Sequence, residues 1–254
     1  MTGAPSLEGL TIANTRAAHQ AASFSKQIKA FGGVPVETPL IRVDPAGTSS
    51  ELGTCLTNLG QYDTIVFTSA NAILHTLDIM KSLGIEWSLL NEKTIACVGK
   101  KTKALLEEKG ITTHIVPNTY DGDHLADALV ASLPRGCRVL FPKSSLARDV
   151  IEKTLGQAGI HIDAPIAYYT NPEETEVNKL WSLVKEGQVD VITFLSPSTV
   201  NAFFSQEVQK EVPVTIGAIG PITEKALTSF GVNHAIVPAE YTTEALLWAI
   251  QRNI

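Results

Sequence analysis

The chain has 254 residues, 44% of them hydrophobic and 18% charged, and a formal net charge of −6. This is the composition of a globular protein with one large or two modest domains. The acidic balance argues against a nucleic-acid partner, and no apolar run approaches the roughly 20 residues of a membrane span.

In chain order, the opening MTGAPSLEGLTIANTR lacks a basic stretch followed by an apolar one, so no signal peptide is expected. LTIA at 10–13 reads as the first strand, and HQAASFSKQIKAF as the helix after it. VPVETPL, TIVFT, TIACV and THIVP follow as strands, with amphipathic helical patterns between them. RVLF, HIDAPIAYY, DVITFL, PVTIGAI and HAIVP continue the series, and TEKALTSF reads as the helix before the last of them. These runs are apolar throughout rather than alternating, as strands of a parallel sheet buried on both faces must be. The fold class expected is α/β: two doubly wound parallel-sheet domains. Cys55, Cys97 and Cys137 are far apart and outside any CxxC or CxxH pattern, so no metal site is expected. Cys97 reads as a small buried hydrophobe. Free thiols and the missing leader point to the cytoplasm.

The chain repeats itself. An offset of 121 carries IACVGKKTKALLEEKGITTHIVPNTYDGDHLADAL, from Ile95, onto IGAIGPITEKALTSFGVNHAIVPAEYTTEALLWAI, from Ile216, without a gap. Gly99, Thr102, Gly110, Pro117 and Tyr120 meet identical residues at Gly220, Thr223, Gly231, Pro238 and Tyr241. At an offset of 127, YDTIVFTSANAI matches VDVITFLSPSTV, and Gly9 and Gly32 meet Gly136 and Gly159. This is an internal duplication. Taken alone, it puts the seam near Leu133 to Gly136.

Ligands of open parallel sheets bind at the carboxyl ends of the strands. There each copy offers two helix starts. Ser69 and Ser196 end strands and are placed to N-cap the next helix, Pro197 fitting the first helical position. Gly99 and Gly220 end the following strands, with Pro221 again at a first helical position and Thr102 and Thr223 one turn in. Strand, glycine and helix N-terminus make a shape that holds anions. Arg16, Lys143 and Arg148 are cations just past strand ends. Alone, each serine also reads as no more than a cap, and each cation as a solvated charge. No phosphate loop, GxGxxG or histidine ligand pair is present, so a dinucleotide cofactor has no support. Asp121 and Asp123 read as turn and helix-start residues.

FTSANAI, CVGKKTKALLEEKG, VPNTYDGDHLADAL, RVLFPKSSLARDVI, IAYYT, ITFLSPSTV and AIGPITEKAL together, and in this order, resemble the uroporphyrinogen-III synthase family over nearly the whole chain. The resemblance implies flavodoxin-like domains joined by a two-stranded linker and enclosing the substrate. It implies hydroxymethylbilane as that substrate, a linear tetrapyrrole with eight carboxylates. The family closes it to a macrocycle, inverts the last pyrrole ring and releases water, without cofactor or metal. Helix N-termini and backbone N–H groups suit such carboxylates. The family pattern redraws the domains as 1–37 with 171–254, and 38–170. It also brings forward Tyr168, which matches the tyrosine of its YxT element, as proton donor to the departing hydroxyl, with a packed linker aromatic as the plain reading beside it. Arg16, Ser69, Thr102, Lys143, Arg148, Ser196, Ser198, Gly220 and Thr223 are the expected substrate contacts. One departure is that Lys143-Ser144 stands where the family often has Arg-Gly. A cytoplasmic monomer with no nucleic-acid or membrane partner is expected. The alternative from another class is a two-lobed small-anion binding protein without catalysis.

Overall fold

The computed structural model describes residues 6–205 and 212–254. In chain order the elements are β1 (Thr11–Asn14), α1 (Ala18–Ala30), β2 (Val34–Glu37), β3 (Ile41–Pro45), α2 (Glu51–Thr57), β4 (Thr64–Phe67), α3 (Ala70–Ser82), β5 (Thr94–Cys97), α4 (Lys100–Glu108), α5 (Gly122–Ser132), β6 (Arg138–Leu140), β7 (Lys143–Ser144), α6 (Val150–Gln157), β8 (His161–Asp163), β9 (Ile166–Pro172), α7 (Glu174–Lys185), β10 (Val191–Phe194), α8 (Pro197–Phe204), β11 (Thr215–Ala218), α9 (Pro221–Ser229) and α10 (Thr243–Asn253). The chain divides into two compact units, Met1–Val43 with Asn171–Ile254, and Asp44–Thr170. The first boundary therefore falls within β3, beyond the residue 37/38 position expected from the sequence.

The discontinuous unit is built on a four-stranded sheet of order β11-β10-β1-β2, parallel throughout. Successive side chains on each strand enter opposite cores. Ile12 and Val191 pack with Phe24, Ile28, Leu246 and Ile250. Ala13 and Ile192 pack with Leu180, Trp181, Phe194 and Phe203. Both faces are covered, which is why these strands are written as unbroken apolar runs. The Trp181 ring stacks on Phe203 at 4.2 Å, and its indole N–H donates to the Phe203 carbonyl at 3.0 Å, so the buried polar edge is satisfied.

The continuous unit carries a second four-stranded parallel sheet, of order β5-β4-β6-β8. Val66 and Val139 share a core with Leu125, Leu129, Ile151 and Leu155. α3 buries Ile73, Leu77 and Met80, which fall on one helical face.

The duplication accounts for both sheets at once. Carried across the repeat, β4, β5, β6 and β8 correspond to β10, β11, β1 and β2, so the two strand orders are the same sheet. Each sheet takes β-strands from both copies: β1 and β2 of the first copy join β10 and β11 of the second, while β6 and β8 of the second join β4 and β5 of the first. The repeat seam near Leu133 to Gly136 therefore lies inside one unit, between α5 and β6. Gly110 and Gly231, matched across the repeat, both have positive φ, 75° and 86°, closing α4 and α9 in the left-handed region that glycine enters without penalty.

Four strand readings change. HIDAPIAYY, expected as one strand, is two. β8 joins the sheet of the continuous unit, while β9 lies between β3 and β7 in a separate three-stranded sheet. The break falls at Ala164-Pro165, where proline has no N–H to give a ladder. VPVETPL keeps strand character only over Val34–Glu37, and the chain then turns through Pro39 into β3. THIVP and HAIVP contribute single parallel bridges, Ala96 to Ile115 and Gly217 to Ile236.

Candidate active site

In doubly wound sheets the ligand crevice opens beyond the carboxyl ends of the strands, where the strand order reverses. In the continuous unit that point lies between β4 and β6. Chain leaving β4 passes Ser69, the N-cap of α3, whose hydroxyl accepts the Ala72 N–H at 3.1 Å. The same hydroxyl lies 3.0 Å from the phenol oxygen of Tyr168 on β9. The Tyr168 side chain is only 7% exposed, and the His75 ring, one and a half turns into α3, packs against it at 5.4 Å and 36°. Chain leaving β6 passes Lys143, whose ammonium pairs with the Glu152 Oε1 on α6. Both side chains are about one-fifth exposed, at 19% and 20%, and the second Glu152 oxygen is buried without a partner among the described residues. Arg148 stands further out, exposed and paired with Asp123 at 2.7 Å. Asp121 N-caps α5 through the His124 N–H and also meets the His124 ring. The His124 N–H, and after it the ring, hold the Asp121 carboxyl below the usual carboxylate range, and the bond to Asp121 pushes the imidazole up.

In the discontinuous unit the reversal lies between β1 and β10. Buried hydroxyls staple these strands together. Thr15 Oγ1 donates to the Thr193 carbonyl and Thr193 Oγ1 to the Ala13 carbonyl, both at 2.7 Å. Asn14 donates to the Ala21 carbonyl at 2.9 Å and to Ser25 Oγ at 3.0 Å, and Ser25 donates to Glu37 at 2.6 Å. The Asn14 side-chain oxygen accepts the Arg16 N–H. The loop that presents Arg16 is thus pinned from inside. The guanidinium donates to Gln20 at 2.9 Å, and partial burial lowers its pKa from the ordinary value. Across the reversal, Ser196 N-caps α8, with Pro197 at the first helical position, and shares a 2.8 Å hydrogen bond with Ser198.

The two glycine turns are built alike. Gly99 and Gly220 are the N-caps of α4 and α9, in extended backbone that any residue could adopt. What glycine supplies there is room for a close neighbour. A Cβ on Gly99 would lie 2.9 Å from Tyr120 Cγ, and one on Gly220 3.1 Å from Tyr241 Cδ1. Each tyrosine, itself exposed, lies directly on its turn. Thr102 and Thr223 are buried in the first turns behind them.

The carboxyl end of the sheet in the continuous unit therefore gathers Ser69, Tyr168, Lys143, Thr102 and, at its rim, Arg148. That of the discontinuous unit holds Arg16, Ser196, Ser198, Gly220 and Thr223. Capped helix starts offer N–H groups and a positive dipole end to carboxylates, and the phenol offers a proton. Two open pockets, of about 740 and 1000 Å³, lie instead at the amino ends of the sheets. There Asp63 and Asp190, matched across the repeat, accept backbone N–H groups from Arg138 and Thr11 and tie neighbouring strands together. Their role is structural.

Sequence reasoning missed His75 and Glu152, which lie on helix faces just past the stretches FTSANAI and RVLFPKSSLARDVI rather than within them. It also missed the Asn14–Ser25–Glu37 chain, for which the polar pair Asn14-Thr15 at the end of an apolar strand was the available signal. Among the described residues no three His, Cys, Asp or Glu side chains gather as a metal-binding group, and no helix is long and apolar enough to cross a membrane.

The chain is similar to the porphyrin biosynthesis protein HemD of Ruminiclostridium josui, 29% identical over 233 residues that cover 91% of this chain; it spans only 46% of that protein's length. It is 27% identical over 244 residues to the uroporphyrinogen-III synthase of Chlorobaculum parvum, covering 94% of this chain and 97% of the relative. A crystal structure of a mutant uroporphyrinogen III synthase from the extremely thermophilic bacterium Thermus thermophilus shares the fold, with a TM-score of 0.72 at 20% identity, over 96% of this chain and 98% of that one. The family model described as uroporphyrinogen-III synthase HemD matches residues 22–247. The chain belongs to the uroporphyrinogen-III synthase family.

Proposed function

We propose that this protein converts hydroxymethylbilane to uroporphyrinogen III, a cyclising lyase step of tetrapyrrole biosynthesis. The observation that carries the reading is the family match across residues 22–247. The site chemistry supports it. The substrate carries eight carboxylates, and the ligand-facing ends of both sheets offer helix starts and hydroxyls rather than a phosphate loop or a dinucleotide turn. Ser196, Ser198, Gly220, Thr223 and Arg16 hold carboxylates in one unit, and Ser69, Thr102, Lys143 and Arg148 line the corresponding end of the other. Backbone N–H groups supply much of this binding, so an acidic chain can hold an anionic ligand.

The chemical demand falls on the hydroxymethyl group of the first ring. Its hydroxyl departs as water and needs a proton, while the pyrrole nitrogen lone pair pushes it out. Tyr168 is the donor. Its phenol is an O–H donor of the kind that general-acid catalysis uses. The enzyme works as a cytoplasmic monomer and needs no cofactor or metal. The test is the product. Spontaneous closure of the bilane leaves the last ring unrotated and gives isomer I, whereas this enzyme gives isomer III. A non-catalytic anion-binding protein would leave isomer I as the only product.

A further inference from the structure

We infer that Ser69 is a positioning residue for Tyr168, serving as the hydrogen-bond donor that receives the phenolate when Tyr168 gives up its proton. The inference rests on the reading of Tyr168 as the acid. It replaces the substrate-carboxylate contact that the sequence suggested for Ser69.

The argument begins with hydrogen-bond capacity. A serine hydroxyl has one donor and two lone pairs. One lone pair is occupied by the Ala72 N–H at 3.1 Å, which fixes the Ser69 oxygen at the start of α3. The 3.0 Å contact to the Tyr168 oxygen can then run in either direction. When Tyr168 donates, its proton is held inward on Ser69. When Ser69 donates, the phenol proton is free to point at another acceptor. The exchange needs two hydroxyl rotations and no movement of heavy atoms. The His75 ring on the same helix packs the phenol face, so the tyrosine is registered against α3 at its head and on its face.

The proton balance follows. The Tyr168 O–H bond breaks and its proton joins the departing hydroxyl, whose bond to carbon breaks to release water. The phenolate then accepts the Ser69 O–H, a charge-assisted bond stronger than the neutral one it replaces, beside the N–H groups of the first turn of α3. The pyrrole carbon that forms the ring-closing bond later loses a proton, which restores the phenol. Ser69 gives up no proton. It stabilises the charge left on its neighbour.

Two functions of Ser69, capping and donating, can be separated by substitution. Ser69→Asp still accepts the Ala72 N–H but has no hydroxyl to donate. Ser69→Thr keeps both, and Ser69→Ala neither. Losing a bond to a developing charge predicts a fall in kcat of about 5–30-fold for Ser69→Ala and Ser69→Asp, with KM within about twofold, and recovery of most of that loss in Ser69→Thr. The alkaline limb of the kcat profile should shift in Ser69→Ala and stay in place in Ser69→Thr. The deciding variant is Ser69→Ala with Tyr168→Phe. Acting through Tyr168, Ser69 has nothing left to contribute once the phenol is gone, so the double variant should match Tyr168→Phe alone. Losses that multiply in the double variant, a parental kcat in Ser69→Asp, or an effect confined to KM would each overturn the inference. A parental rate in Tyr168→Phe would remove Tyr168 as acid and the inference with it. Isomer III from the unsubstituted enzyme reports on the overall reaction independently of both.

Discussion

Replacing Tyr168 by phenylalanine removes one oxygen and leaves the packing in place. The ring is 7% exposed and stays against His75, so no cavity opens. The oxygen lost makes a 3.0 Å hydrogen bond with Ser69, and a neutral bond of that kind contributes a net ~0.5–1.5 kcal/mol. Ser69 keeps its bond to the Ala72 N–H, so α3 remains capped. The melting temperature should therefore fall by only about 2–4 °C per kcal/mol lost. Catalysis should fall much further. A positioned general acid typically contributes about 10²–10⁴-fold, and water or a substrate carboxylate can partly stand in here, which puts the expected loss in kcat at about 10–100-fold. Substrate affinity should change little. Single-turnover rates at several pH values, with melting curves for both proteins, separate the two effects. A parental rate with an unchanged isomer ratio would refute the reasoning, leaving Tyr168 as packing and the catalysis to the shape in which the bilane is held.

Thr223→Val should weaken activity more than Thr102→Val, because Pro221 fixes the second glycine turn. A lost hydrogen bond to a carboxylate costs roughly 1.5–3 kcal/mol, and parental turnover and affinity in both variants would leave these threonines as helix-start residues only. Gly99→Ala should destabilise the fold by about 1–3 kcal/mol in urea unfolding and Gly220→Ala by less, since the added carbon sits 2.9 Å from Tyr120 Cγ in the first case and 3.1 Å from Tyr241 Cδ1 in the second. Equal stability would mean that the tyrosines move aside freely. The discontinuous unit predicts that a fragment of residues 44–170 folds by itself while a fragment ending at residue 133 does not. A cooperative unfolding transition in the latter would favour the sequential division.

Local signals were the legible ones. The Gly220-Pro221 and Ser196-Pro197 starts, the Ser69 cap and the alternation of apolar runs with helical patterns are written within a few residues of where they act. The duplication could be read because two copies can be aligned without knowing their partners. Strand partnership could not be read from pattern alone. β1 pairs with β10 across well over half the chain, and nothing in TIAN or VITF records that choice. The division into units came from the family resemblance rather than from periodicity, and the repeat by itself pointed to a different cut. HIDAPIAYY carried its own correction in Pro165, which an unbroken apolar reading passed over. At the site, the cap of Ser69 was readable and its bond to Tyr168 was not, since those residues lie 99 apart. Lys143 was found as a cation, but its partner Glu152 was hidden in an amphipathic helix whose surface charges all look alike.

The most direct measurement is the isomer composition of the product. Purified protein, with no added metal or cofactor, is given hydroxymethylbilane, and the oxidised products are resolved by isomer. The account predicts uroporphyrinogen III, formed equally well in the presence of a chelator. Isomer I as the only product, or activity that a chelator abolishes, would contradict it.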